Sequence, residues 1–471
     1  MTLFRDRVRF VSPLAVLLLA LAAPHRPTEA QTNSAPTRPL LYSTPLEEIT
    51  DSTPRIKPWK SMLLDPLYRG MWVVAGDVDG DGEVELVSAR IHDADDVHFT
   101  ASVVVHKLDG SVLWRWGQPE LGVFPLHSDV ACQIYDWDGD GKNEVIVAAE
   151  RAVVEIDGAT GIEKRRFAIP QDASDCIVFC NLTGGPRATD LLVKTRYSQI
   201  WAFDHDGKPL WTYKTPGAYR TAHQPRPIDV DGDGRDEIVA GFLMLNPDGS
   251  ERWALDEGDP TLSRWKPLVE GHLDCARLLS RGATPADSTL ALTFCGAERI
   301  ALVRGTGEVI WSVYGKHFES IDLGKVCRSV DGRQLVADIP YAPRGNQPLW
   351  IFDQRGQLLG EIIADYSRIH RLVDWHGEGI ESIVVGSPPT LYDGETGKRL
   401  AIFDMPGGRV ETRSKEEVPY ICSTGDMTGD GVVDVFFLDC ATGIVHIYKN
   451  ERGRPLAAPA TRGTGVNWTL Y

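Results

Sequence analysis

Asp229-Val230-Asp231-Gly232-Asp233-Gly234-Arg235-Asp236-Glu237 decides how this chain is read. Near-copies stand at Asp77-Val78-Asp79-Gly80-Asp81-Gly82-Glu83-Val84-Glu85 and Asp136-Trp137-Asp138-Gly139-Asp140-Gly141-Lys142-Asn143-Glu144. A weaker one is Asp426-Met427-Thr428-Gly429-Asp430-Gly431-Val432-Val433-Asp434. Carboxylates fall at positions 1, 3, 5 and 9, so the expected ligands are Asp77, Asp79, Asp81 and Glu85, then Asp136, Asp138, Asp140 and Glu144, then Asp229, Asp231, Asp233 and Glu237, and finally Asp426, Asp430 and Asp434. Hard oxygen donors around a sharp glycine turn suit Ca²⁺, expected here as a structural ion at several sites. An EF-hand is excluded. It needs a glutamate at position 12, where this chain has Ser88, Val147 or Ala240, and it needs flanking helices. The residues that follow, such as Glu144-Val145-Ile146-Val147, read as strands.

Outward from these loops a repeat emerges. Gly110, Gly207, Gly249 and Gly307 each precede a tryptophan by four residues, at Trp114, Trp211, Trp253 and Trp311. Turns equivalent to Asp77 recur near Asp136, Asn181, Asp229, Arg281, Val326, Asp374 and Asp426, about every 50 residues. Four short strands at that period describe a β-propeller blade. The expected fold is all-β: an eight-bladed β-propeller over 58–471, with seven blades as the alternative and calcium loops between the first and second strands of several blades. The tail Gly465-Val466-Asn467-Trp468-Thr469-Leu470-Tyr471 is expected to pair beside the N-terminal segment and close the ring.

Arg5, Arg7 and Arg9 precede an apolar run from Leu14 to Ala23, too short to span a bilayer, and Thr28-Glu29-Ala30 resembles a cleavage site. Residues 1–30 therefore read as a signal peptide, which predicts a secreted or periplasmic product without membrane insertion. Residues 31–57, rich in Pro, Ser and Thr, read as a flexible linker. The net charge of −17, or −19 without the leader, argues against nucleic acid as a partner. Eight cysteines sit mostly in β-like runs, as expected for small buried residues rather than a disulfide framework. A monomer is expected.

If the acidic turns mark one face, the starts of the inner strands open on the other. His127 with Asp129, Asp175, Tyr219, Arg220, His223, His272 with Asp274, and His317 with Glu319 fall there. Each histidine alone is more readily a structural residue, but as a set they would ring the mouth of a central funnel, a natural binding site. Their spacing does not require a metal. Lys194, Arg196 and Tyr197 interrupt an apolar stretch and suit an anion clamp beside a phenol, or equally a solvated turn.

The acidic turns resemble the FG-GAP loops of integrin-like propellers. The run from Lys194-Thr195-Arg196-Tyr197-Ser198-Gln199-Ile200-Trp201 through His223 to Gly271-His272-Leu273-Asp274 resembles secreted propeller polysaccharide lyases of the rhamnogalacturonan and ulvan type, with a related propeller rhamnosidase. The resemblance implies β-elimination on a rhamnose–uronate polysaccharide. Tyr197, Arg196, His127 and His223 best match the residues that the resemblance implies. The chemistry itself asks for a cation against the uronate carboxylate, from Arg196, Arg220, Lys194 or a Ca²⁺, a base, Tyr197 or His127, and an acid, His223 or His272. One departure from the resemblance is expected: the rhamnogalacturonan lyases carry an extra β-domain that is not read in these residues. Two alternatives stay open: a non-catalytic calcium-stabilised propeller that binds a glycan or protein, and a rhamnosidase-like hydrolase. A quinoprotein is disfavoured, because there is no Cys-x-x-Cys-His motif and no adjacent cysteine pair.

Overall fold

The computed structural model describes residues 40–94, 97–122, 132–149, 151–173, 176–215, 221–255, 272–294, 297–407, 418–456 and 462–469. The expected leader lies outside them.

Eight sheets follow one another as the blades of a propeller. Blade 1 is Trp72–Gly76, Glu85–Ala94, Val97–Lys107 and Val112–Gly117, and blade 2 is Cys132–Tyr135, Glu144–Ala149, Ala152–Asp157 and Glu163–Ala168. Blades 3 to 7 span 178–214, 221–254, 273–314, 321–364 and 366–403. Inner strands of most successive blades touch, as in blades 1 and 2 and from blade 3 through blade 8. Second strands such as Glu237–Gly241 are buried along their whole length, because each blade is covered on both faces by its neighbours. This accounts for continuous apolar runs where an open antiparallel sheet would alternate.

The conserved-spacing tryptophans lock adjacent blades. Trp114 Nε1 donates to Gly158 O at 2.7 Å, Trp211 to Pro247 O at 2.9 Å, Trp253 to Gly305 O at 3.0 Å and Trp311 to Gln354 O at 3.0 Å. Each indole covers the turn glycine of the next blade, so closely that a Cβ on Gly161, Gly249, Gly307 or Gly356 would fall within 3 Å of ring carbons. In blade 2 the outer-strand residue is Phe167, and its ring covers Gly207.

Blade 6 carries no tryptophan at this place, and the chain solves the gap with its N-terminal segment. Tyr42–Thr44 adds a fifth, parallel strand to blade 6. The Tyr42 ring covers Gly397 and its hydroxyl donates to Gly394 O at 2.9 Å, as a tryptophan does elsewhere. Arg55–Ile56 likewise adds a parallel strand to blade 7. The linker expected over 31–57 is thus corrected from Tyr42 onward, because this segment supplies strands and a ring that the blades lack.

Closure also differs from expectation. Lys60–Leu63 pairs antiparallel with Ile444–Tyr448 and completes blade 8, whose other strands are Tyr420–Gly425 and Asp434–Asp439. The C-terminal tail does not flank that strand. It crosses the channel mouth on the face of the acidic turns. Thr464 N donates to Ala75 O at 2.9 Å, and Asn467 exchanges two hydrogen bonds with the Phe179 backbone at 2.7 and 2.8 Å. Arg226 donates to the Thr469 hydroxyl and Arg371 to its carbonyl. Buried guanidiniums need acceptors, and the tail backbone provides them.

Among the described residues the seven cysteines are buried and none is in a disulfide. Several line the inner-strand seams: Cys275 Sγ approaches Ile321 O at 3.8 Å and Cys422 Sγ approaches Ile369 O at 3.4 Å.

Candidate functional site

The acidic turns share one internal plan. Asp77 Oδ1 and Oδ2 accept the N–H groups of Gly80 and Gly82 at 2.8 and 3.1 Å, and Asp136 and Asp229 repeat this. The position-nine carboxylate clasps the turn from beneath. Glu85 accepts from Val78 N at 3.0 Å, Glu144 from Trp137 N at 2.9 Å, Glu237 from Val230 N at 3.0 Å and Asp434 from Met427 N at 3.1 Å. Burial pushes Glu85 up to about 7, and it also raises Glu144 and Glu237.

In three turns the first, third and ninth carboxylates bring oxygens within 4.8 Å of one another: Asp77, Asp79 and Glu85; Asp136, Asp138 and Glu144; Asp229, Asp231 and Glu237. Such oxygen-only sets fit a hard divalent cation. The position-five residues Asp81, Asp140 and Asp233, and the Asp426, Asp430 and Asp434 turn, are not in these groups. Each cluster also faces a cation from a neighbouring strand. Lys107 Nζ lies 2.6 Å from Asp79 and 2.7 Å from Asp81, and Lys164 lies 2.8 Å from Glu144. Arg252 bridges Asp231 and Glu237 at 2.8 and 2.7 Å, and Lys449 lies 3.0 Å from Asp430.

The opposite face is built from strand starts and from turns between second and third strands. In blade 3, Thr195–Ser198 is such a turn. Lys194 is fully buried beneath it, and its Nζ donates to Thr195 O at 3.1 Å and Arg196 O at 2.7 Å. Thr195 Oγ1 accepts two more N–H groups at 2.9 Å each, and Thr221 N reaches Tyr197 O at 2.8 Å. Lys194 is therefore a scaffold for the turn, too deep to act as the expected anion clamp. It fixes Tyr197, which projects over His223 and His272.

Tyr197 Oη lies 3.4 Å from His223 Nε2, and its ring centroid is 4.3 Å from that of His272. The two imidazole centroids are 5.3 Å apart. His272 Nε2 lies 3.0 Å from Asp274 Oδ1. His223, His272 and Asp274 offer ligand atoms within 4.8 Å of one another, a donor set of two imidazoles and a carboxylate that fits a divalent transition metal. Arg196 sits 5.3 Å from the Tyr197 centroid, and its Nη1 lies 3.0 Å from Nδ1 of buried His98. The remaining expected residues of this face, His127, Asp129, Asp175, Tyr219 and Arg220, lie outside the described residues.

Sequence reasoning missed His98, which arrives on the long hairpin Glu85–Ala94/Val97–Lys107 of blade 1; strands twice the usual length were the available signal. It also missed Asp338 and Arg368. Arg368 Nε donates to Glu319 Oε2 at 2.6 Å, and His317 Nε2 lies 3.4 Å from Glu319 Oε1. Burial alone would raise Glu319, but the Arg368 guanidinium holds it below the usual carboxylate range. Burial beside Glu319 pushes Asp338 up to about 8. Two adjacent carboxyls, one ionised and one protonated at neutral pH, thus stand on the same face.

Fold and site together define an eight-bladed propeller with a tyrosine–imidazole–carboxylate centre at one mouth and clasped acidic turns at the other. No family model matches the chain. It is similar to two curated proteins of Bacillus subtilis (strain 168). It is 25% identical over 414 residues to rhamnogalacturonan exolyase YesX, covering 70% of this chain and 63% of that one. It is 25% identical over 410 residues to rhamnogalacturonan endolyase YesW, covering 72% and 61%. The chain therefore spans about three fifths of the length of the curated relatives it matches. Among solved structures, rhamnogalacturonan lyase YesW superposes with TM-score 0.59 at 18% identity, covering 85% of this chain and 77% of that one. The Vibrio cholerae biofilm matrix protein Bap1 superposes with TM-score 0.57 at 12% identity, covering 88% and 94%. A lyase and a matrix protein on one scaffold show that the fold alone does not choose a function.

Proposed function

We propose that this chain is an exported polysaccharide lyase that cleaves a rhamnose–uronate polymer by β-elimination. The observation that carries the reading is the convergence of Tyr197, His223, His272 and Asp274 beside Arg196 at one mouth of the propeller. The similarity to rhamnogalacturonan lyases supports the substrate class.

In β-elimination the C5 proton leaves, the electron pair forms the C4–C5 double bond, and the C4–oxygen bond to the next sugar breaks. Negative charge builds on the uronate carboxylate, so a fixed cation must face it. Arg196 supplies that charge. Tyr197 Oη takes the proton as a phenolate, its own proton having passed to solvent beforehand, with His223 as its hydrogen-bonded neighbour. A divalent ion held by His223, His272 and Asp274 would add electrophilic stabilisation of the same carboxylate. The scissile oxygen then receives a proton from solvent or from a histidine of the same face.

Calcium in the three convergent acidic turns serves a structural role in this reading. Held by these carboxylates it would supply counter-charge beside Lys107, Lys164 and Arg252 and would tie the first and second strands of blades 1, 2 and 4. Export is supported by Arg5, Arg7, Arg9 and the apolar run behind them. The decisive experiment is ultraviolet absorbance while the protein acts on rhamnogalacturonan and ulvan with Ca²⁺ present. Rising absorbance from an unsaturated uronate supports the lyase reading. Released saturated sugar instead would mean a hydrolase, and no product from either polymer would sink the enzyme reading.

A further inference from the structure

We infer that Tyr341 forms a second carbohydrate contact on the same face, a stacking platform for a sugar of the bound chain one blade beyond the His272–Asp274 pair. This rests on the polysaccharide reading and adds to it a subsite for a pyranose ring. Tyr341 lies in the turn between Gln334–Asp338 and Gln347–Phe352 of blade 6, and it is 67% exposed. Scattered exposed aromatics are common and need no explanation. This one differs in what holds it.

Its ring lies on His317, with centroids 4.1 Å apart. His317 stands on Glu319, and Glu319 on Arg368. The exposed ring therefore tops a stack whose base is the ion pair between half-buried Arg368 and buried Glu319. The turn that carries it is fixed as well. Gln347 Nε2 donates to Ala342 O at 2.9 Å, Ser367 N donates to Gln347 Oε1 at 3.0 Å, and Gly345 N reaches Asp365 O at 3.2 Å. The Arg344 guanidinium lies 4.5 Å from the Tyr366 centroid and 3.2 Å from Asp365.

A ring held in place while its outer face meets solvent loses little freedom on binding. An aromatic face suits the C–H face of a pyranose, and the charged groups around it suit hydroxyl and carboxylate substituents. The platform stands on the same face as the proposed centre, because His317 and Glu319 precede the inner strand Ile321–Gly324 of blade 6 as His272 precedes the inner strand Leu273–Ser280 of blade 5. A polymer-cleaving site gains from contacts on sugars beyond the broken bond.

The test compares the wild type with Tyr341→Ala and Tyr341→Phe on rhamnogalacturonan polymer. It also measures calorimetric binding of a rhamnose–galacturonate hexasaccharide. Tyr341→Ala is expected to raise KM and Kd about tenfold with little change in kcat, and Tyr341→Phe, which keeps the ring, is expected to match the wild type. Equal KM and Kd for the alanine variant and the wild type would overturn the platform. If the wild type binds the hexasaccharide without forming product, the lyase reading fails while the Kd comparison still decides the platform. A wild type that neither cleaves nor binds overturns both.

Discussion

The lock between Trp311 and Gly356 allows a quantitative prediction. Gly356 has φ of 79°, and a Cβ there would lie 2.6 Å from Trp311 Cδ2. Gly356→Ala therefore carries two costs. The left-handed backbone is worth about 1–2 kcal/mol against an L side chain. The overlap must be relieved by moving an indole that is buried and hydrogen-bonded to Gln354 O, which adds about 1–3 kcal/mol. Together the substitution should destabilise by roughly 2–5 kcal/mol. Trp311→Ala alone should lose about 3–5 kcal/mol through the emptied seam. In the double variant the overlap has nothing to meet, so its loss should fall short of the sum by about 1–3 kcal/mol. The assay is urea unfolding followed by far-ultraviolet circular dichroism at fixed Ca²⁺, with a shared slope. Additive losses, or a Gly356→Ala variant within about 0.5 kcal/mol of wild type, would refute the lock.

Other perturbations test the two faces. Chelation should lower the melting temperature, since each site saturated a hundredfold above its Kd adds about 2.7 kcal/mol; an unchanged melting curve would remove calcium from the acidic turns. Tyr197→Phe keeps the packing on His272 and removes the proton acceptor, so kcat in the elimination assay should drop by about a hundredfold or more, and full activity would exclude Tyr197 as base. Asp338 holds a proton in the folded state up to about pH 8, whereas the unfolded chain releases it near pH 4, so its contribution to stability falls as pH rises through that window and is level above it. Asp338→Asn should flatten that slope in a pH series of unfolding midpoints, and an unaltered slope would assign it to other groups.

The fold was largely legible because its two markers are local. The acidic turn and the glycine-to-tryptophan spacing each need only a few consecutive residues, and both repeat with the blade. What stayed hidden depends on distant partners. Nothing near Asp79 or Glu144 announces that Lys107 and Lys164 will face them from the third and fourth strands of their blades. Lys194 looked like a ligand-binding cation because its neighbours Arg196 and Tyr197 are polar, yet strand alternation turns it inward beneath its own turn. The histidines of the funnel were placed by aligning strand starts, and His223 and His272 do meet. Arg368 occupies a comparable strand start in blade 7 and was accessible to the same alignment. The Pro- and Ser-rich composition around Tyr42 masked a residue whose role is defined only by the tryptophan missing from blade 6.

The way the N-terminal segment is used sets an order for assembly. Ser43 meets Glu361 across 318 residues, and Ser61 meets His446 across 385. Blades 1 to 5 can form as the chain emerges, but they do so as an open arc whose terminal edge has no neighbour. Closure waits for the strand Ile444–Tyr448, which follows every other described strand in the chain. A lesion in blade 8 is therefore felt at the opposite end of the sequence, because it strands Lys60–Leu63 as well. The long search for such remote partners makes folding slow, and the exposed edge of the arc is the place where premature release would lead to aggregation.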